Sequence, residues 1–248
     1  MAAEESQTYS KFDRLFTKHV PHILESIFFS LDYDSFMKCN YVSKAWKELY
    51  SSQRYQEKAE ELLRRKRENE EKLIIYSKHG DHREVSNLLA DGVNPNCEDA
   101  GHFKGNPLLY AAIRGHQAVV ELLLNMGANP NVALDHSEDW EYWELGVGTY
   151  RFKTPLHFAA AHANNDMVRV LLNAGADPKI ADKDGNTPLH LTDSEIVVEM
   201  LLKAGADPNK KNNKRQTPLD NAKMRNAPLS ILELLRDSGA SFRKQRIT

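Results

Sequence analysis

A chain of 248 residues, 41% hydrophobic with a formal net charge of −2, exceeds one average domain and has enough apolar sequence to bury a core. Its cations are scattered or paired with acids, so the broad positive field that DNA or RNA binding needs is missing. The two cysteines, Cys39 and Cys97, lie in different segments, and no apolar stretch resembles a leader or a membrane span, which predicts a reduced, soluble protein of the cytoplasm with no membrane partner.

Residues 1–15 are expected to be a flexible lead-in. From 16 to 50 the pattern becomes helical: Ile23, Leu24, Ile27, Phe28 and Leu31 share one face, residues 32–35 break it, and Phe36, Cys39 and Val42 begin another. Two or three short helices fit. The order Val20-Pro21, then Ile27-Phe28 and Leu31-Asp32, then Val42-Ser43-Lys44-Ala45-Trp46 leading to Leu49 resembles the F-box, most of all in F-box proteins that carry WD repeats. It departs in having Val20 for Leu and no acid at His22. The resemblance implies that Val20, Pro21, Leu24, Ile27, Leu31, Val42 and Trp46 contact a Skp-type adaptor, and through it a cullin ubiquitin ligase. The same residues also suit a plain small helical core.

Residues 51–79 contain neither Gly nor Pro and 54–78 are rich in strong helix formers, which predicts one long helix, of which 51–70 form the linker. Glu60 with Arg64 and Glu61 with Arg65 are favourable i,i+4 pairs. A polar middle suits a stiff strut through solvent of roughly 37 Å. The run Arg64-Arg65-Lys66-Arg67 has a second reading as a nuclear import signal, which would add the nucleus to the cytoplasm; its acid pairing favours the solvated helix.

From residue 71 to 248 a phrase recurs: Asn106-Pro107-Leu108-Leu109, Thr154-Pro155-Leu156-His157, Thr187-Pro188-Leu189-His190 and Thr217-Pro218-Leu219-Asp220. Thr caps the coming helix, Pro at its first turn loses no needed N–H, and the apolar face follows. After a second amphipathic stretch come Gly127-Ala128, Gly175-Ala176, Gly205-Ala206 and Gly239-Ala240, where Gly ends the helix at positive φ. A period near 33 residues, as from Thr154 to Thr187, predicts stacked helix-turn-helix units. These phrases closely resemble the ankyrin repeat, with residues 153–179 carrying nearly the whole pattern. Five repeats are expected in an all-α chain, the first a degenerate unit near Glu71 and the last ending in a polar tail.

Two repeats break register. Thr187 and Gly205 are 18 residues apart, against 21 for Thr154 and Gly175, so a tightened inter-helix turn is expected at 192–195. Ala128 and Thr154 are 26 residues apart, against 11 for Ala176 and Thr187, so a loop at about 133–152 is inserted, of the kind that often serves binding. Its Trp140, Tyr142 and Trp143 are candidate anchors, and the surrounding acids favour a basic partner; at least one of the three rings is expected instead to pack back onto the array and hold the long loop. The family resemblance places Tyr110, Phe158, Leu191 and Asn221 on the concave groove, with Arg114 and His162 beside them; packing against neighbouring helices is the other reading.

Ten histidines raise the question of metal or catalysis, but His79 and His82 lack a ligand set, no phosphate loop follows a strand, and no nucleophile elbow occurs. Neither a cofactor nor an enzyme activity is expected. The sequence predicts a substrate-recognition adaptor of an SCF-type ubiquitin ligase, monomeric within the complex, that binds an unidentified target protein. A plain repeat scaffold, or an effector by which a pathogen or symbiont uses a host ligase, would show the same two modules.

Overall fold

The computed structural model describes residues 53–99, 105–133 and 152–239. The candidate adaptor-binding residues Val20, Pro21, Leu24, Ile27, Leu31, Val42 and Trp46, and the loop aromatics Trp140, Tyr142 and Trp143, lie outside them. The chain divides into two compact units between Asn69 and Glu70. Ten helices and no strand occur among the described residues. Helix α1 (Gln53–His79) is continuous; within its first unit Lys58 pairs with Glu61 at 3.3 Å and Arg64 with Glu68 at 3.8 Å, both at solvent and each worth a few tenths of a kcal/mol.

The second unit is a repeat solenoid. After the end of α1, helices alternate in pairs: α2 (His82–Ala90), α3 (Pro107–Arg114) with α4 (Gln117–Asn125), α5 (Pro155–Ala161) with α6 (Asn165–Asn173), α7 (Pro188–Leu191) with α8 (Glu195–Lys203), and α9 (Pro218–Met224) with α10 (Leu229–Asp237). Helices α3, α5, α7 and α9 pack in one row, and α2, α4, α6, α8 and α10 in another. Such units bury their apolar faces only by stacking.

The core repeats with the sequence. The Leu after each helix-starting Pro (Leu108, Leu156, Leu189 and Leu219) is at most 2% exposed, as are Leu123, Leu171, Leu201 and Leu235 of the second helices. Removing such a side chain costs about 2–5 kcal/mol. Gly127, Gly175 and Gly205 adopt φ of 87 to 91°, which lets the next amide turn back: Ala128, Ala176 and Ala206 N–H donate to the carbonyls of Leu123, Leu171 and Leu201 at 2.9–3.0 Å. This six-to-one closure satisfies a terminal carbonyl that would otherwise be orphaned.

The shortened fourth repeat corrects one expectation. Three residues separate α7 from α8 (192–194), as three separate α5 from α6 (162–164), so the deletion falls in the helix, which keeps four residues instead of seven. The other inter-helix turns contain a left-handed residue (Gly80, Gly115, Ala163 or Asn226). Here Thr192 is extended, at φ −89° and ψ 145°, and the chain leaves the helix early instead of bending more tightly.

The long insertion leaves the stack intact. Helix α3 packs directly on α5 and α4 on α6, although the loop lies between them in sequence. Phe152, where the chain returns, has φ 59° and occupies the same place before Thr154 as Gly185 before Thr187 and Arg215 before Thr217, both also left-handed.

Candidate partner-binding surface

Each Thr-Pro-Leu-His phrase positions a hydrogen-bond relay that links one repeat to the next. The Thr154 amide donates to Nδ1 of His157 at 3.1 Å, with the Thr154 hydroxyl 2.8 Å from the same nitrogen. Nε2–H then donates to the Asn186 carbonyl at 3.0 Å. Thr187 and His190 repeat the pattern at 3.1 and 2.9 Å, and His190 Nε2–H reaches the Gln216 carbonyl at 3.2 Å. Both carbonyls also close their own turns, accepting from the Asp182 and Asn212 amides. These bonds fix both rings in the neutral Nε2–H tautomer, and both residues are fully buried. Burial pushes His157 down to about 4 and lowers His190 in the same sense. Neither ring is left with a nitrogen free for catalysis or a metal.

In the last repeat Asp220 replaces His: its carboxylate accepts from the Thr217 amide and hydroxyl at 3.0 Å each, which retains the cap without a reach to a further turn. Leu109 takes the same position in the second repeat. It is fully buried and forms a small cluster with Phe158, Ile113 and Val132.

A second ladder runs along the other turns. Asn96 accepts from the Asn129 amide at 2.7 Å and donates to the Gly127 carbonyl at 3.0 Å; Asn131 does the same to Asp177 and Gly175 at 2.7 and 3.2 Å, across the inserted loop. Asn209 donates to Gly239 at 2.8 Å. Lys179 holds the corresponding place between the third and fourth repeats and cannot accept a hydrogen bond.

Against this frame the expected groove residues separate. Phe158 is 4% exposed and packs in the cluster around Leu109, so it builds the array and presents no ring to a partner. Tyr110 is half-buried; its hydroxyl donates to Asp99 at 3.2 Å, and its ring lies so close to Gly105 that a Cβ there would come within 2.7 Å. Its first role is to tie Asp99 to the start of α3, beside the bond from the Asp99 amide to the Gly105 carbonyl. Arg114 is exposed at the end of α3. His162 is exposed, with Nδ1–H donated to the Phe158 carbonyl at 2.8 Å. Leu191 is half-buried at the end of α7. Asn221 lines a polar cleft of about 140 Å³.

Arg225 was not singled out by the sequence reading. From the end of α9 it reaches back to the fourth repeat, donating Nη1–H to the His190 carbonyl, Nη2–H to the Thr192 carbonyl at 3.0 Å and Nε–H to Asp193 at 3.0 Å. Among the described residues no group of three or more metal-ligating side chains occurs, and no helix is long and apolar enough to cross a membrane.

Comparison with known proteins adds two findings. A family model described as ankyrin repeats (3 copies) matches residues 73–181, 141–212 and 156–246. The ankyrin repeat-containing protein YIL001W of Saccharomyces cerevisiae is 43% identical over 60 residues, 24% of this chain and 11% of that protein. The chain therefore spans about a tenth of the length of that curated relative.

Proposed function

The chain belongs to the ankyrin-repeat family, and from that premise we propose that it is a non-catalytic substrate-recognition adaptor of an SCF-type ubiquitin ligase, working in the cytoplasm. The repeats imply a protein-binding role. The adaptor role is carried by one observation: the apolar order from Val20 to Leu49, with Pro21, Leu24, Ile27, Leu31, Val42 and Trp46 at F-box positions, precedes the helix that leads into the array. Residues 16–50 then hold a Skp-type adaptor and through it a cullin ligase.

The array presents the target. Trp140, Tyr142 and Trp143 of the inserted loop serve as anchors, with exposed Arg114 and His162 and half-buried Tyr110 and Leu191 as further contacts. Aromatic side chains suit that role because they bury large area at low entropic cost. A scaffold that recruits no ligase is the second reading, favoured by the start of the family match at residue 73.

Co-purification with a Skp-type adaptor separates the two. The intact chain should capture the adaptor, and the double change Leu24→Ala, Trp46→Ala should abolish capture while the repeats stay folded by circular dichroism. Capture that survives the double change removes the ligase assignment and leaves the scaffold.

A further inference from the structure

Between α8 and α9 the chain reads Lys210-Lys211-Asn212-Asn213-Lys214-Arg215-Gln216, four cations in six residues with no acid. All four are exposed, and among the described residues none of their side chains forms an ion pair. Like charges held together in water repel, so a flexible segment would spread them apart. This one cannot. Asn212 Oδ1 accepts from the Lys214 and Gln216 amides at 3.0 and 2.9 Å, and its Nδ2–H donates to Asn186 of the preceding turn at 2.9 Å. The Asn213 amide donates to the Asp184 carbonyl, and its side chain to the Lys183 carbonyl at 2.8 Å. Asn212 is itself 7% exposed. The cations therefore stand on a backbone pinned to its neighbour before any ligand arrives.

The polar cleft of about 140 Å³ adjoins them, with Lys214, Asn213 and Asn221 in its lining. The Asn221 side chain forms no hydrogen bond among the described residues. Asp184 lines the cleft too, and the chain as a whole carries a net charge of −2, which disfavours a polyanionic nucleic-acid backbone.

We propose that this turn and cleft are a docking surface for an extended, acidic segment of a partner protein. Its carboxylates pair with Lys210, Lys211, Lys214 and Arg215, and the Asn221 carboxamide bonds its main chain. The pinned backbone lowers the ordering cost of binding, and the cationic turn steers encounter. The inference rests on the array being the partner-binding module and is independent of the adaptor: it assigns the last two repeats a chemistry opposite to that expected of the acidic inserted loop.

The test is fluorescence anisotropy with the full chain and a labelled twelve-residue peptide of alternating Glu and Gly at low salt. Its Gln and Gly counterpart and a twelve-nucleotide oligouridine serve as comparison probes. The Glu peptide should bind, weaken as salt rises, and lose about tenfold or more affinity in the triple variant Lys210→Glu, Lys211→Glu, Lys214→Glu. The distant pair Lys72→Glu, Arg83→Glu should leave binding within about twofold. Equal binding of the Gln peptide, an unchanged affinity in the triple variant, or tighter binding of oligouridine overturns the proposal. Adaptor capture measured on the same variants keeps the two readings apart, since it should not respond to the triple change.

Discussion

Arg225 donates to the carbonyl of His190 and so substitutes for the helical turn that α7 lacks. With three residues gone from the helix, carbonyls near its end have no amide of their own to accept from, and a carbonyl left unpaired and buried beneath the next repeat would cost about 1–3 kcal/mol. The guanidinium serves His190, Thr192 and Asp193 together, which a planar fork of donors can do and an ammonium cannot. Arg225→Lys should therefore behave nearly like Arg225→Ala, each losing about 2 kcal/mol in urea unfolding. Hydrogen exchange should quicken first in 187–192 and 217–224. A lysine variant as stable as the parent would show that charge alone suffices.

Lys179 interrupts the asparagine ladder. At the matching place Asn96 and Asn131 each accept one amide and donate to one carbonyl of the following turn. Lys179→Asn should add both bonds, to the Asp207 amide and the Gly205 carbonyl, and stabilise the protein by about 1 kcal/mol. Asn131→Ala should cost a similar amount or more, because it strips the tie that spans the insertion. Thermal and urea melts of both variants check the opposite signs.

How far these features could be read in advance varies with their physics. Repeat number, helix order and the left-handed Gly turns follow from local grammar, because capping, Pro placement and apolar spacing act within one repeat. The relay from His157 to Asn186, the Asn131 bridge and the reach of Arg225 cross between repeats, and nothing at those residues announces the partner 29 to 46 positions away. Phe158 shows the same limit from the other side. Its place after Leu-His suggested a groove residue, but the Leu109 beside it lacks the polar reach of a histidine, and the ring covers that apolar spot. The Lys210 to Arg215 run is an exception to the scattered or acid-paired cations expected from the sequence, and its significance depends on Asn212 holding it still.

Acid should weaken the array through the two buried histidines. His157 is held near 4, and His190 is lowered in the same sense, so each folded ring binds a proton less readily than its unfolded counterpart near 6.5. The unfolded chain therefore carries more protons in that window, and stability rises with pH. The contribution is complete above about pH 6.5 and is lost as pH falls toward 4, up to about 3 kcal/mol for His157 alone. Urea midpoints at pH 7.5, 6 and 5 should fall in that order. His157→Gln should lower the midpoint at pH 7.5 and flatten the slope; an unchanged slope would place the acid sensitivity elsewhere.

Removal of the inserted loop is the sharpest separation of binding from folding. Since α3 packs directly on α5, and Asn131 bonds Asp177 across the excursion, residues 134–151 are not needed to bring the second and third repeats together. Replacing them with a three-residue Gly-Ser-Gly link shortens the closed loop, which by itself favours folding by about 1 kcal/mol. The shortened chain should keep a single cooperative urea transition with a midpoint no lower than the parent's. Capture of the target by the Trp140, Tyr142 and Trp143 anchors should disappear, whereas anisotropy with the Glu and Gly peptide should not change. A marked loss of cooperativity would mean that the loop packs back onto the array, and the aromatics would then be structural before they are recognition groups.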